Sequence, residues 1–108
     1  MKKLEFEKQI NAIEKGKQIG YSFLTDSYMY DCGIQKKDGK YLVYFVFYDF
    51  EYDHMPPGKK EFYSFSDLSK AIDYIVSREF PFEEFSPQKG NKIFYTEYFN
   101  EENTVVVE

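Results

Sequence analysis

The chain of 108 residues carries 14 Lys or Arg against 19 Asp or Glu, a net charge of −5, with one cysteine and one histidine. A single cysteine excludes an internal disulfide and fits a reducing cytosol. No stretch approaches the ~20 apolar residues that a membrane helix needs. The acidic balance disfavours direct binding to nucleic acid and favours basic partners, although this charge is also ordinary for solubility. We therefore expect one cytoplasmic domain over residues 1–108.

The first predicted element is a surface helix over residues 3–15. Its apolar residues recur at helical spacing: Phe6, Ile10 and Ile13. One of the two following glycines, Gly16 or Gly20, would end it.

A β-hairpin is predicted next. A loop or short strand reaches Ser27, and a strand covers residues 28–35, in which Gly33 could mark a bulge. The Asp38-Gly39 pair between two apolar runs predicts a tight turn. The strand from Tyr28 is therefore expected to pair antiparallel with the one that follows.

The stretch Lys40 to Asp53 has the composition of a central strand, because it is β-branched and aromatic without Gly or Pro. Its first half is apolar on both faces, which predicts that both faces are covered. Its second half alternates an aromatic face with an acidic face formed by Asp49, Glu51 and Asp53.

The remaining elements complete an α+β pattern. A third strand is expected over Lys59 to Phe65. An amphipathic helix is expected over residues 66–79, with Ser66 as its N-cap and an apolar stripe at helical spacing that comprises Leu68, Ala71, Ile72, Ile75 and Val76. Residues 80–90 form a loop whose three phenylalanines should pack on the domain. Residues 91–99 predict a fourth strand, and residues 104–107 a last strand or a frayed tail. We expect an antiparallel β-sheet of four to five strands, an N-terminal helix and the 66–79 helix packed on the sheet.

No catalytic motif is present. His54 is the only histidine, no nucleotide-binding glycine motif occurs, and a Cys/His metal site needs more ligands than the chain has. Cys32 is expected to be a small buried hydrophobe, since no basic residue near it in sequence would lower its pKa. No catalytic residue, cofactor or metal is therefore predicted.

The three carboxylates Asp49, Glu51 and Asp53 have three interpretations: a solvated strand edge, a contact face for a basic partner, or a site for Mg²⁺ or Ca²⁺. A small domain cannot bury 11 tyrosines and 12 phenylalanines completely, so some tyrosines must lie at the surface. Tyrosines beside carboxylates suit a Lys- or Arg-rich partner. The candidate partner-binding residues are Tyr48, Asp49, Glu51, Tyr52, Asp53, Glu83 and Glu84.

In general form the chain resembles the small immunity proteins of bacterial polymorphic-toxin and contact-dependent inhibition systems. The resemblance lies in an acidic chain of about a hundred residues, a Tyr/Phe-rich β-meander through Lys40–Asp53, and an F-x-S-F-x-D-L-type entry into a helix. That entry reads Phe62, Tyr63, Ser64, Phe65, Ser66, Asp67 and Leu68, leading to Ala71-Ile72-Asp73-Tyr74-Ile75. The resemblance implies a tight inhibitor of a cognate toxin, often a nuclease, that works by steric occlusion.

The sequence therefore leads to an immunity protein that binds a basic toxin domain, without touching nucleic acid or membrane. The first alternative is another interaction protein, such as a phage-encoded inhibitor or a regulatory subunit. The second is a small metal-binding enzyme that uses His54 and the strand carboxylates. A homodimer is also open, because an edge strand such as Asn91–Phe99 could pair with a copy of itself.

Overall fold

The structure, a computed structural model, describes residues 6–49, 59–87 and 104–107, and of Tyr48, Asp49 and Lys59 it describes the backbone alone. It contains two α-helices, a short 3₁₀ helix and six strands. In chain order they are α1 (Glu7–Glu14), β1 (Ile19–Leu24), β2 (Tyr28–Lys37), β3 (Lys40–Asp49), β4 (Lys59–Phe65), α2 (Leu68–Ser77), the 3₁₀ helix (Phe82–Glu84), β5 (Ser86–Pro87) and β6 (Thr104–Val107).

The strands form one mixed sheet in the order β5-β1-β2-β3-β4-β6. The α+β class is confirmed, but the sheet has six strands, and β6 pairs parallel with β4. The expected antiparallel sheet of four to five strands is therefore confirmed in part: β5, β1, β2, β3 and β4 pair antiparallel, and β6 is a sixth strand in parallel pairing. Between β4 and β6 the chain passes through α2 and through β5 at the opposite edge of the sheet, and parallel neighbours need such a long connection rather than a tight hairpin turn.

The turn between β2 and β3 confirms the predicted hairpin. Asp38 and Gly39 both have positive φ, 53° and 76°, as the favoured two-residue hairpin turn requires. The antiparallel register runs from Lys37 opposite Lys40 to Tyr28 opposite Asp49. It passes through Gly33 without interruption, so the expected bulge is absent.

One sheet face, called the helical face here, packs against both helices. Alternate strand residues on it join the helices in a single buried cluster. The helices contribute Ile13, Ala71, Ile72 and Ile75, and the strands contribute Ile19, Cys32, Ile34, Val43, Phe45 and Phe65. Val76, which was expected in the apolar stripe of α2, is 46% exposed, so the stripe is narrower than its sequence suggested.

The opposite face of the sheet is also buried at its centre. Tyr44, Val46 and Phe62 lie there, each nearly inaccessible to solvent. Gly33 and Gly20 stand beside Tyr44 in the register of β3, β2 and β1, and glycine leaves room for a large ring on the same face. The prediction that both faces of the central strand are covered is confirmed.

Both helices end in the same hydrogen-bonded motif. After α1, the Gly16 N–H donates to Ile13 O and the Lys17 N–H to Ala12 O, with Gly16 in the left-handed region at φ 84°. After α2, the Glu79 N–H donates to Val76 O and the Phe80 N–H to Ile75 O.

Glu79 reaches φ 67° in this motif, although it is not glycine and left-handed backbone is unfavourable for it.

The start of α2 lies one residue later than predicted. Asp67 is the N-cap, and its carboxylate accepts a hydrogen bond from the Ser69 N–H at 3.1 Å. The following loop packs on the domain as expected, because Phe80, Phe82 and Phe85 are all buried in the core cluster. The predicted strand over residues 91–99 lies outside the described residues.

No helix in residues 6–49, 59–87 or 104–107 is long and apolar enough to cross a membrane.

Glu79→Gly should stabilise the protein by about 0.5–1 kcal/mol, because glycine adopts the left-handed conformation without a Cβ penalty. Urea unfolding followed by circular dichroism measures the change. Glu79→Ala is the matched control, since it removes the same carboxylate and keeps the backbone penalty. An equal gain in both variants would show that the side chain, not the backbone, was responsible.

Candidate functional site

The end of β3 brings two predicted partner-binding residues to one end of the sheet. Tyr48 and Asp49 are its last two residues, and they stand opposite Met29 and Tyr28 at the start of β2. The β2–β3 register therefore places the beginning of the acidic stretch directly beside the turn that joins β1 to β2. We call this end of the sheet, comprising residues 24–29 with Tyr48 and Asp49, the sheet tip.

The sheet tip exposes large apolar side chains on an ordered turn. Leu24 is 71% exposed and Tyr28 37% exposed, while Asp26 between them is also at the surface. Thr25 holds the turn, because its hydroxyl oxygen accepts from the N–H groups of Ser27 and Tyr28 at 3.1 and 3.0 Å. An exposed leucine and tyrosine beside acidic residues are typical of a protein-contact surface.

Glu83 and Glu84 do not join the sheet tip. They lie exposed in the 3₁₀ helix, just before β5. β5 pairs with Ile19 and Gly20 at the start of β1, whereas the tip begins at Leu24, where β1 ends. The structure thus places Glu83 and Glu84 apart from Tyr48 and Asp49, although all four are candidate partner-binding residues.

The rest of the predicted acidic face, Glu51, Tyr52 and Asp53, lies outside the described residues, as does His54. The three interpretations of this face, a solvated strand edge, a contact face for a basic partner and a site for Mg²⁺ or Ca²⁺, therefore stay predictions. Within the ranges that the structure describes, no three His, Cys, Asp or Glu side chains come together as a metal site would require.

A polar network that the sequence analysis did not predict centres on Arg78, the only arginine of the chain. Its guanidinium donates to both carboxylate oxygens of Glu61, at 3.2 and 2.9 Å. The same group donates to the Tyr74 hydroxyl at 3.1 Å and to the Tyr30 hydroxyl at 2.6 Å. Every N–H on its two terminal nitrogens therefore has an acceptor.

The tyrosines close this network into a ring. The Tyr74 hydroxyl donates to the Tyr63 hydroxyl at 3.1 Å, and the Tyr63 hydroxyl donates to Glu61 at 2.6 Å. The guanidinium also lies 4.3 Å from the centre of the Phe45 ring, in cation–π contact. The ring links the end of α2 to β2, β3 and β4 across the helical face.

The network raises the pKa of two of its members, Arg78 and Tyr63. Hydrogen bonding to Glu61 raises the pKa of Arg78 above its ordinary value, although partial burial opposes it. Burial raises the pKa of Tyr63, and its hydrogen bonds with Glu61 and Tyr74 add to that effect. Neither group is poised to exchange a proton near neutral pH, so the network is suited to holding the helix in place rather than to acid–base catalysis.

Cys32, the single cysteine of the chain, lies within the described residues. Its thiol is completely buried in the core cluster beneath the helices. Burial raises its pKa well above the ordinary value, and the neighbouring Asp31 adds to the increase, while Arg78 opposes it. The prediction that Cys32 is a small core residue is confirmed.

Comparison of the chain with protein-family models, curated proteins and solved structures gives no match. The residues and contacts of the sheet tip and of the Arg78 network are therefore the basis for a functional proposal.

Native Cys32 should react with a soluble disulfide reagent at least about 100-fold more slowly than the same thiol in urea, because reaction requires opening of the core. Absorbance of the released thiolate follows the reaction. A Ser27→Cys variant supplies an exposed thiol in the β1–β2 turn and should react at once with one equivalent. Rapid reaction of Cys32 in the native protein would contradict its burial.

Glu61→Gln should lower the free energy of unfolding by about 1–3 kcal/mol, because Arg78 then keeps its charge without a carboxylate. Urea unfolding of Glu61→Gln, Arg78→Met and the double variant gives the interaction energy.

The exposed pair of Lys36 and Glu14, whose charged atoms lie 3.2 Å apart, is the control, and its double-mutant cycle should give less than about 1 kcal/mol. Equal coupling energies for the two pairs would show that the Arg78 network adds nothing beyond a surface ion pair.

Proposed function

We propose that the chain is an immunity protein that binds a cognate bacterial toxin domain, such as a nuclease, and neutralises it by covering a basic surface of its active site. The resemblance in general form to small immunity proteins supports this proposal. The net charge of −5 supports it as well, because an acidic inhibitor is attracted to a basic surface before contact.

The exposed sheet tip is the observation that carries the proposal. Leu24 and Tyr28 lie at the surface on a turn that Thr25 orders through its hydrogen bonds, so binding would cost little loop ordering. Asp49 follows directly opposite Tyr28, where the acidic stretch of the sequence begins. Exposed apolar side chains next to an acidic stretch of the chain would suit a partner surface that carries Lys or Arg around an apolar pocket.

Cys32 and Arg78 both have structural roles in the fold, which supports a binding protein rather than an enzyme. Cys32 is buried with a raised pKa, and the terminal N–H groups of the partly exposed Arg78 are all engaged within the fold.

Rescue from toxicity tests the proposal. The chain is co-expressed with the C-terminal toxin domain encoded immediately upstream of it, and surviving cells are counted with and without the chain. Survival that depends on the chain is the expected result. Killing that continues in its presence would contradict the proposal, as would a neighbouring domain that is harmless by itself.

The purified toxin domain should bind the triple variant Asp49→Lys, Glu51→Lys and Asp53→Lys at least about 100-fold more weakly, because favourable charge pairs become repulsive ones. Asp49→Lys alone should cost about tenfold. Isothermal titration calorimetry measures the affinities, and circular dichroism confirms that each variant folds.

Asp73→Lys is the control, since it makes the same charge change at an exposed position of α2. Its affinity should stay within about twofold of the unaltered chain. Equal losses for Asp49→Lys and Asp73→Lys would indicate an effect of net charge, and unchanged affinity in the triple variant would exclude the acidic face from the interface.

A further inference from the structure

We propose a second binding site, a basic cleft between α1 and the β1–β5 edge of the sheet, that takes a short acidic peptide segment. The cleft has a volume of about 280 Å³. It is lined by Lys8, Gln9, Asn11, Ala12, Lys15, Lys17, Ile19, Phe85 and Pro87. It lies where β1 begins, whereas the sheet tip lies where β1 ends, so this proposal does not depend on the function proposed above.

The charge of the cleft is opposite to that of the chain. Three of the lining residues are lysines and none is acidic, although the whole chain has a net charge of −5. Lys8, Lys15 and Lys17 are all exposed. Within the described part of the chain none of the three makes an ion pair, in contrast to Lys36, which binds Glu14. Their charges are therefore available to an anionic ligand.

The walls of the cleft are held in place by contacts within the fold. The buried Gln9 side chain donates from Nε2 to Glu83 O at 2.8 Å and to Phe85 O at 3.4 Å, which ties α1 to the segment before β5. On the other side, Ile19 pairs with Pro87 in the sheet. A cleft with fixed walls would require little reorganisation when a ligand enters.

The spacing of the lysines determines the ligand that would fit. Lys8 and Lys15 are seven residues apart along α1 and its final turn, which corresponds to roughly 10 Å at ~1.5 Å per residue. In an extended peptide, side chains at positions i and i+4 lie on the same face, about 13 Å apart. Two carboxylates at these positions would each reach one lysine, because the long lysine side chains are flexible. The side chain at position i+2, on the same face between them, would contact Ala12 and the apolar edge formed by Ile19 and Pro87.

A peptide fits the cleft better than a nucleic acid does. The cleft offers three lysines and no exposed aromatic platform on which bases could stack, since its one aromatic residue, Phe85, is buried. A nucleic acid carries a charge on every phosphate and would be repelled by the acidic remainder of the chain. A peptide with two carboxylates concentrates its charge in the cleft alone.

Nuclear magnetic resonance titration tests this proposal with acetyl-Glu-Ala-Val-Ala-Glu-amide as the probe. The expected result is a shift of the amide signals of Ala12 and Ile19, with binding at least about fivefold tighter than that of the Gln-Ala-Val-Ala-Gln peptide. Lys8→Gln with Lys15→Gln should weaken binding of the acidic peptide about fivefold to tenfold. The same spectra show whether the variant is folded.

Lys37→Gln with Lys40→Gln is the matched control, because it removes two exposed lysines at the β2–β3 turn, and its affinity should be unchanged. Equal losses in both double variants would overturn the proposal, as would peptide shifts confined to residues outside the cleft. A tetranucleotide that shifts the same signals at lower concentration than the acidic peptide would also overturn it in favour of a nucleic-acid ligand.

Discussion

The register of the β2–β3 hairpin is the constraint on which the rest of the structure depends. The turn at Asp38 and Gly39 sets that register, and a shift by one residue would move every side chain of β3 to the other face. Val43 and Phe45 would then leave the helical core, and Asp49 would no longer stand opposite Tyr28. The same turn therefore governs both the core and the sheet tip, although it lies at the far end of the hairpin from the tip.

Arg78 adds a polar attachment to the apolar packing of α2. Ala71, Ile72 and Ile75 bury the helix against the sheet, and the Arg78 guanidinium joins the end of the helix to Glu61 of β4. Three tyrosine hydroxyls and one carboxylate complete that attachment, which accounts for three of the 11 tyrosines. The tyrosine content that suggests an interface thus serves partly to hold the fold together, and Tyr28 at the sheet tip, 37% exposed, is the most exposed of the tyrosines whose side chains the structure describes.

Patterns within a few residues of sequence predict the helices and strands well, but they do not predict which distant segments of the chain contact one another. The Asp38-Gly39 turn, the strand parity and the apolar spacing of α2 each act over a few residues, so the sequence carries them directly. The parallel pairing of β6 with β4 joins two segments that are far apart in sequence, and no local pattern indicates it. Likewise, Arg78 binds Tyr30, which is 48 residues away in sequence. One feature of the sequence points to the Arg78 network: Arg78 is the single arginine among many lysines, and arginine is the residue that binds a carboxylate through two parallel hydrogen bonds.

Contact between the sheet tip and a toxin is tested most directly by amide hydrogen exchange of the chain, alone and bound to the candidate toxin domain. Slower exchange in the β1–β2 turn and at the end of β3 in the complex, with α2 unchanged, is the expected result. Protection confined to α2 or to the β5 edge, with the turn between Leu24 and Tyr28 exchanging as fast as in the free chain, would contradict the proposed contact.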